Sequence, residues 1–491
     1  MNASLPPITG AGTGPASALH HVDSQLEASL ERLFALLRIP SISTQLEHAP
    51  DCRRAAEWLR DDLQSLGFQA SVRDTPGLPI VVAHDRSASA AVEGAPHVLF
   101  YGHYDVQPVD PLDLWTNPPF EPVLIDAPAV DGVTPDRWIT ARGASDDKGQ
   151  VMTFLEALRA IRAADGSYPL RISILLEGEE ESGGPSLRPF LEAHADELRA
   201  DYALICDTDM LGDHTPAITT MLRGLVGEEI IITCADRDLH SGLYGNAARN
   251  PLHLLVEILA SLRDAEGRVT LPGFYDDVAP LPPSVKASWE RIGFSDAELL
   301  GPIGLSIPAG EAGDSALEQT WARPTCEING ITGGYGGEGF KTVLPGKASA
   351  KVSFRMVSGQ NPEAVRDAFR AHVRSRIPAD CSVAFRSHGC SRASSLPIDS
   401  ASLRAALGAL GEEWGTEAAV VGSGGSIPVV RDLQEALGMD SLLIGFARND
   451  NRIHSPNEKY DLSSFHRGTR SWVRVLYALA AGAPEGTPTS V

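Results

Sequence analysis

Apolar positions along the chain recur with two periods, and their alternation predicts the architecture. Residues 25–37 carry Leu26, Leu30, Leu33, Phe34 and Leu37, a stripe at helical spacing that stops before Pro40. A second helix is predicted over 55–66, with Leu59, Leu63 and Leu66 on one face and Gly67 closing its C-terminus. The run HVLFYG at 97–102 suits a buried strand, 150–161 returns to helical spacing, and LRISILL (170–176) and YALIC (202–206) are again strand-like. Strands alternating with helices imply an α/β layer around a mostly parallel sheet, with helices on both faces and ligands beyond the strand carboxyl ends.

Beyond about residue 222 the order changes. A strand at 226–233, a helix at 251–262, strands at 325–331 and 348–357, a helix at 362–377 and a strand at 382–387 give β-α-β-β-α-β, the order of a ferredoxin-like α+β unit. Residues 264–324, rich in Pro and Gly, are too long for a plain loop and read as an insertion with short helices or a functional segment. Helical spacing resumes after 394 and ends in a helix at 465–481. The expected organisation is therefore a loose tail at 1–20 and a catalytic domain in two parts, 21–221 and 394–491. An inserted lid or dimerisation domain at 222–393 separates those parts.

Composition narrows the function. At 491 residues the chain is too long for one ordinary core, and 43% hydrophobic with 21% charged residues is globular. The balance of 41 basic against 64 acidic residues, with no basic stripe, argues against a nucleic-acid partner. No stretch approaches the roughly 18 apolar residues of a membrane helix. The first residues lack the basic and apolar regions of a signal peptide, and six scattered cysteines suit reduced thiols, so a soluble, cytoplasmic protein is expected.

The chemistry lies where acids and histidines fall. His103 and Asp105 follow the strand HVLFYG, and Asp146 and Asp147 stand before a helix in GASDDKG. Glu177, Glu179, Glu180 and Glu181 close LRISILL; Asp207 and Asp209 close YALIC. Each segment has a plainer account: a hydrogen-bonded histidine, an N-cap, a solvated acidic turn, a turn aspartate. Together they place ionisable groups at equivalent strand ends. Crowded carboxylates repel one another and protonate unless a cation holds them. Carboxylate and imidazole donors suit a divalent first-row ion, with Zn²⁺ leading.

The segments YGHYDVQP, ARGASDDKG, LEGEEESGG, ICDTD, DLHSGLYG and IHSPNEKY, in this order, resemble the M20 family of dinuclear metallopeptidases, in particular its carnosinase-like dipeptidase branch. The resemblance extends from about residue 39 to 460. It implies that His103 and Asp207 hold one metal, Glu181 and His454 the other, and that Asp146 bridges the two. The ions would be Zn²⁺, with Mn²⁺ or Co²⁺ as alternatives. Asp105 then orients His103, Glu180 is the general base, and the 146–147 peptide is cis. A one-residue slip in the Glu triple would exchange base and ligand. Lys148 is expected to pack structurally.

The same resemblance makes His240 an oxyanion stabiliser acting across a homodimer interface formed by the inserted domain. Arg355 becomes the clamp on a substrate carboxylate and Thr342 a further contact; apart from the resemblance, the run 424–428, with Gly425 and Ser426, offers backbone N–H groups at a helix start that would suit an anion. The implied activity is hydrolysis of dipeptides or short peptides bearing a free C-terminal carboxylate, by a metal-activated water. An N-acyl amino acid amidohydrolase using the same site is the alternative substrate reading. A metal-free binding protein is the alternative of another class, disfavoured because every metal position and Glu180 keep competent residue types.

Overall fold

The computed structural model describes residues 14–86, 96–128, 136–425 and 427–482. Two compact units divide the chain. One comprises Met1–Thr219, Pro397–Val420 and Asp432–Val491; the other comprises Thr220–Leu396 and Val421–Arg431. Two sequence expectations shift. The helix Pro15–Ser24 begins inside the expected tail, because Ala18, Leu19 and Val22 bury one face. Residues 421–431, expected with the returning catalytic part, group with the second unit, where Arg223 binds the Gly424 carbonyl.

The first unit is built on a sheet ordered Phe68–Arg73, Ile80–Asp85, Arg171–Glu177, His97–His103, Tyr202–Ile205, Ser441–Leu443 and Ala217–Leu222. The pairings among Arg171–Glu177, His97–His103, Tyr202–Ile205 and Ser441–Leu443 are parallel, and the outer ones are antiparallel. Every residue from Val98 to His103 is buried, so both faces of this central strand are covered, as its unbroken apolar run requires.

Phe100 on that strand stacks on Phe154 of the helix Lys148–Asp165, with ring centroids 3.7 Å apart and planes 4° from parallel. Trp472 of the helix Leu462–Ala481 meets Phe154 edge-on at 5.2 Å. This aromatic trio sets the helix against the strand whose carboxyl end carries His103. At Gly149 a Cβ would lie 1.9 Å from the Ala144 carbonyl oxygen, so only glycine lets the helix start this close to the loop before it.

A small antiparallel sheet, Val123–Asp126, Arg137–Thr140 and Lys459–Asp461, is satellite to this core. Its short strands show little hydrophobic period, which is why sequence pattern does not reveal them. The second unit contains the expected β-α-β-β-α-β order. Its sheet runs Thr325–Gly333, Lys347–Met356, Gly224–Thr233 and Ser382–Ser391, all antiparallel, with helices Pro251–Ala260 and Pro362–Arg374. The long 264–324 segment supplies helices Pro283–Ile292 and Asp296–Leu300 and a small core where Trp289 meets Trp321 edge-on. Among the described residues no helix is long and apolar enough to cross a membrane.

Lys148 is fully buried, and its Nζ donates to the carbonyls of Leu36 (3.3 Å) and Ile39 (2.7 Å), at and just beyond the end of the helix Leu26–Leu37. Helix C-termini leave carbonyls without intrahelical partners, and here the ammonium joins backbone N–H groups in covering them. Leu36 also accepts the Ile39 N–H and Ile39 the Ser41 N–H, so Lys148→Met strands neither carbonyl and should lower stability by about 0.5–1.5 kcal/mol for each hydrogen bond lost. Urea unfolding will show this as a lower midpoint at constant slope; an unchanged midpoint would mean that the carbonyls do not depend on the ammonium.

Candidate metal centre

Three parallel strand ends and two loops of the first unit converge on Asp146. His103 ends its strand with a fully buried ring. The ring Nδ1 lies 3.1 Å from the backbone oxygen of Asp105 and 3.3 Å from its carboxylate. A proton on Nδ1 satisfies these acceptors and leaves the Nε2 lone pair for a cation. That Nε2 is 3.1 Å from Asp146 Oδ1 and 3.9 Å from Asp207 Oδ2. The other Asp105 oxygen accepts the Glu181 N–H at 3.0 Å, so one carboxylate spans the histidine strand and the acidic turn.

The second oxygen of Asp146 faces elsewhere. Asp146 Oδ2 is 2.8 Å from His454 Nε2, and the same nitrogen is 3.1 Å from Glu181 Oε2. His454 sits in a turn where Arg452, His454 and Asn457 all have positive φ. Asn457 secures that turn by accepting from the Thr116 N–H (2.7 Å) and donating to the Leu114 carbonyl (2.8 Å). Two donor groups result, His103–Asp146–Asp207 and Asp146–Glu181–His454, each with its candidate atoms within 4.8 Å of one another. They share Asp146, one oxygen to each.

The glutamate triple separates by geometry. Glu179 points back into the fold, where its carboxylate accepts the N–H groups of Leu78 (2.9 Å) and Ser186 (3.2 Å). Glu181 reaches His454 and accepts from Gln107 Nε2 at 2.8 Å. Glu180 remains, largely buried beside the cluster. Glu177, at the strand end, accepts from the Tyr101 hydroxyl at 2.5 Å, and burial pushes its carboxyl up to about 8.

Charge in the cluster is out of balance. Burial pushes Asp207 well above the usual carboxylate range, and the charges of Asp146 and Asp147 push it further. Burial raises Glu180 to about 7; His103 opposes this, while Glu181, Asp105 and Asp146 add to it. Burial also works against ionised Asp146, yet hydrogen bonds from His103 and His454 hold it below the usual range. His454 is raised to about 10 by those same contacts to Asp146 and Glu181. A site with more acid than its two imidazoles can neutralise is short of positive charge, as a divalent-ion site is. The oxygen and imidazole donors present fit such ions.

Sequence pattern missed the residue that seats Asp146. Glu458 has no exposed surface, and its carboxylate accepts from Arg142 Nη1 (2.8 Å) and the backbone N–H groups of Gly143 (2.9 Å), Ser145 (2.9 Å) and Asp146 (3.0 Å). It precedes Lys459–Asp461, whose pairing with Arg137–Thr140 carries it to the loop. Its place in IHSPNEKY was the available signal. Asn451 assists, accepting from the Ser145 hydroxyl (3.1 Å) and donating to Asp461 (2.9 Å). The Asp146–Asp147 peptide is cis, and Asp147 turns away from the cluster to accept the His103 N–H at 3.1 Å.

The remaining sequence-selected residues lie in the second unit. His240 is exposed on a two-residue ladder, Leu239–His240 against Val343–Leu344, and Thr342 accepts the Ser241 N–H at 3.0 Å. The Gly242 N–H donates to His240 Nδ1 at 3.0 Å, which puts the ring proton on Nε2. Arg355 is half-buried on the sheet face opposite the buried residues Phe354 and Met356. The Gly425 N–H donates to Ser423 Oγ (3.1 Å) and its carbonyl accepts from the Arg223 N–H (3.1 Å). The expected N–H-rich turn therefore has one of its donors already engaged. Ser426 lies outside the described residues.

Known proteins carry the same chain pattern. A family model described as Peptidase family M20/M25/M40 matches residues 99–478. Cys-Gly metallodipeptidase dug1 of Schizosaccharomyces pombe is 29% identical over 482 residues, covering 94% of this chain and 98% of that protein. Beta-Ala-His dipeptidase of Homo sapiens is 31% identical over 389 residues, covering 78% and 75%. The crystal structure of human carnosine dipeptidase 1 superposes with a TM-score of 0.78 at 28% identity, covering 95% of this chain and 99% of that one. The family model spans most of the chain and relatives match it almost end to end; this chain belongs to peptidase family M20/M25/M40, whose metallopeptidase members use divalent metal.

Proposed function

We propose that this chain is a dinuclear metallodipeptidase, hydrolysing the peptide bond of dipeptides or short peptides that end in a free carboxylate. The observation that carries the reading is the shared carboxylate: Asp146 offers one oxygen on the His103 side and the other on the His454 side. His103, Asp207 and Asp146 would hold one ion, and Asp146, Glu181 and His454 the other, with zinc favoured and manganese or cobalt as alternatives. When bound, the ions would polarise the scissile carbonyl and acidify the attacking water. The curated relatives are named as Cys-Gly and Beta-Ala-His dipeptidases, which supports a dipeptide substrate.

Glu180 takes the proton of the attacking water on a carboxylate oxygen and hands it to the departing amine nitrogen. Glu180 stands beside Glu181 in the acidic turn, and burial raises its carboxyl to about 7. Asp105 holds the His103 ring by Nδ1 and the Glu181 backbone by its other oxygen, keeping both ligands in register. His240, with its proton on Nε2, donates a hydrogen bond to the oxygen that becomes negative as the carbonyl turns tetrahedral.

We assign His240 to the active site of a partner subunit in a homodimer formed by the inserted domain. The exposed Leu243, Tyr244 and Phe340 near the His240 ladder favour a surface that another chain covers. Arg355, Gly425, Ser426 and Thr342 are assigned to the substrate, Arg355 to its terminal carboxylate.

Three measurements test the reading. Wild-type protein should cleave dipeptides over their N-acyl amino acid counterparts, and dialysis against a chelator should abolish turnover until Zn²⁺, Mn²⁺ or Co²⁺ is restored. Turnover confined to N-acyl amino acids would replace the dipeptidase reading, and activity indifferent to chelation would end the metal assignment. Glu180→Gln should lower kcat by about 10²–10⁴-fold with metal content near wild type; loss of metal would instead make Glu180 a ligand. Co-assembling His240→Ala with Glu180→Gln in equal amounts should restore roughly a quarter of wild-type activity, one working site in half of the dimers. No recovery in demonstrated mixed dimers would place His240 in its own subunit's site or outside the chemistry.

A further inference from the structure

Arg223 is the single residue that joins the strands Ala217–Leu222 and Gly224–Thr233 along the chain, and no motif singles it out in the sequence. Its surroundings are unusual for an arginine. The residue is 8% exposed, and its guanidinium donates to three backbone carbonyls: Gly424 (3.1 Å), Gln319 (3.4 Å) and Arg323 (3.4 Å). Its own N–H donates to the Gly425 carbonyl at 3.1 Å. Two consecutive carbonyls of the glycine turn are thus drawn toward one residue. Gly424 is close against it, since a Cβ there would stand 3.0 Å from Arg223 Nη2.

Strand register brings a second cation near. Leu225 pairs with Arg355 across the sheet, and Arg223 stands two residues before Leu225, just outside the strand. The Arg355 charge acts on Arg223 from there. Burial pushes the Arg223 guanidinium down to about 10, and the nearby Arg355 charge pushes the same way, with Glu327 offsetting only part. All three side-chain hydrogen bonds of Arg223 go to neutral oxygens, which orient a charge without cancelling it. A buried guanidinium whose side-chain hydrogen bonds all go to neutral oxygens is stabilised by an anion nearby.

We propose that Arg223 is a positioning residue for the substrate's terminal carboxylate, holding the Gly424–Gly425 turn in place and adding its positive charge to that of Arg355. The inference deepens the dipeptidase reading and rests on its assignment of Arg355 and the glycine turn to that carboxylate. Arg223 acts on the substrate through the turn and through its field, and touches no reacting atom. Selectivity for a carboxylate over a neutral amide is the property it controls, more than the rate of bond cleavage.

The test compares a dipeptide with the same dipeptide carrying a C-terminal carboxamide, using metal-loaded wild type, Arg223→Met and Arg223→Lys. Wild type should prefer the free acid. Arg223→Met should lower that preference, measured as a ratio of kcat/KM values, by about tenfold or more, mainly through KM for the acid. Arg223→Lys keeps the charge but loses the fork, and should recover part of the preference. Equal loss for acid and amide in both variants would show a purely structural staple and overturn the proposal. Should Arg223→Met fail to fold by circular dichroism, Arg223→Lys decides alone: a preference equal to wild type, with its KM for the acid unchanged, overturns it. A wild type that does not distinguish acid from amide would instead remove the carboxylate assignment beneath it.

Discussion

The position of one carboxylate governs the site, and a second carboxylate determines that position. Asp146 can face His103 and His454 together only if the loop before the helix Lys148–Asp165 is held still. Glu458 holds it, gathering Arg142 and three loop N–H donors with no exposure to water. Charge-assisted bonds of this kind are strong because water cannot compete for them. Removing one partner of such a buried pair costs about 3–5 kcal/mol, so the loop has few cheap ways to move.

From that anchor the rest of the first unit follows as support. The parallel strands put His103, the glutamate turn and Asp207 at one edge of the sheet, because parallel strands end on the same side. The Phe100, Phe154 and Trp472 stack sets the distance between sheet and helix, and glycine at 149 lets that distance be short. The acidic turn then divides its labour by direction. Glu179 is spent on backbone N–H groups, Glu181 reaches the histidine, and Glu180 keeps a raised proton affinity beside both.

The second unit orients its own polar groups by hydrogen bonds. The Gly242 N–H makes His240 a donor by occupying its other nitrogen, a tautomer choice made by two residues of local chain. Register brings Arg355 opposite Leu225, two residues from Arg223, a relation invisible without the pairing of Lys347–Met356 with Gly224–Thr233. The turn that the sequence offered as an N–H-rich cradle proves to be tied down by its carbonyls, with its Gly425 N–H on Ser423.

Much of this was legible beforehand because local period and local composition carried it. The apolar runs named the central strands, their carboxyl ends named the acids and histidines, and the β-α-β-β-α-β order named the second sheet. Short strands such as Val123–Asp126 and Lys459–Asp461 were not legible, since four or three residues show no reliable period. Glu458 and Arg223 escaped for a deeper reason: each acts on backbone atoms far away in the chain, and a hydrogen bond to a distant carbonyl or N–H leaves no mark on residue type. The sequence by itself determined which side chains could bind a cation and in what order they occur. Only the tertiary structure decided which oxygen of Asp146 faces which histidine, because that choice depends on directions that long-range packing sets.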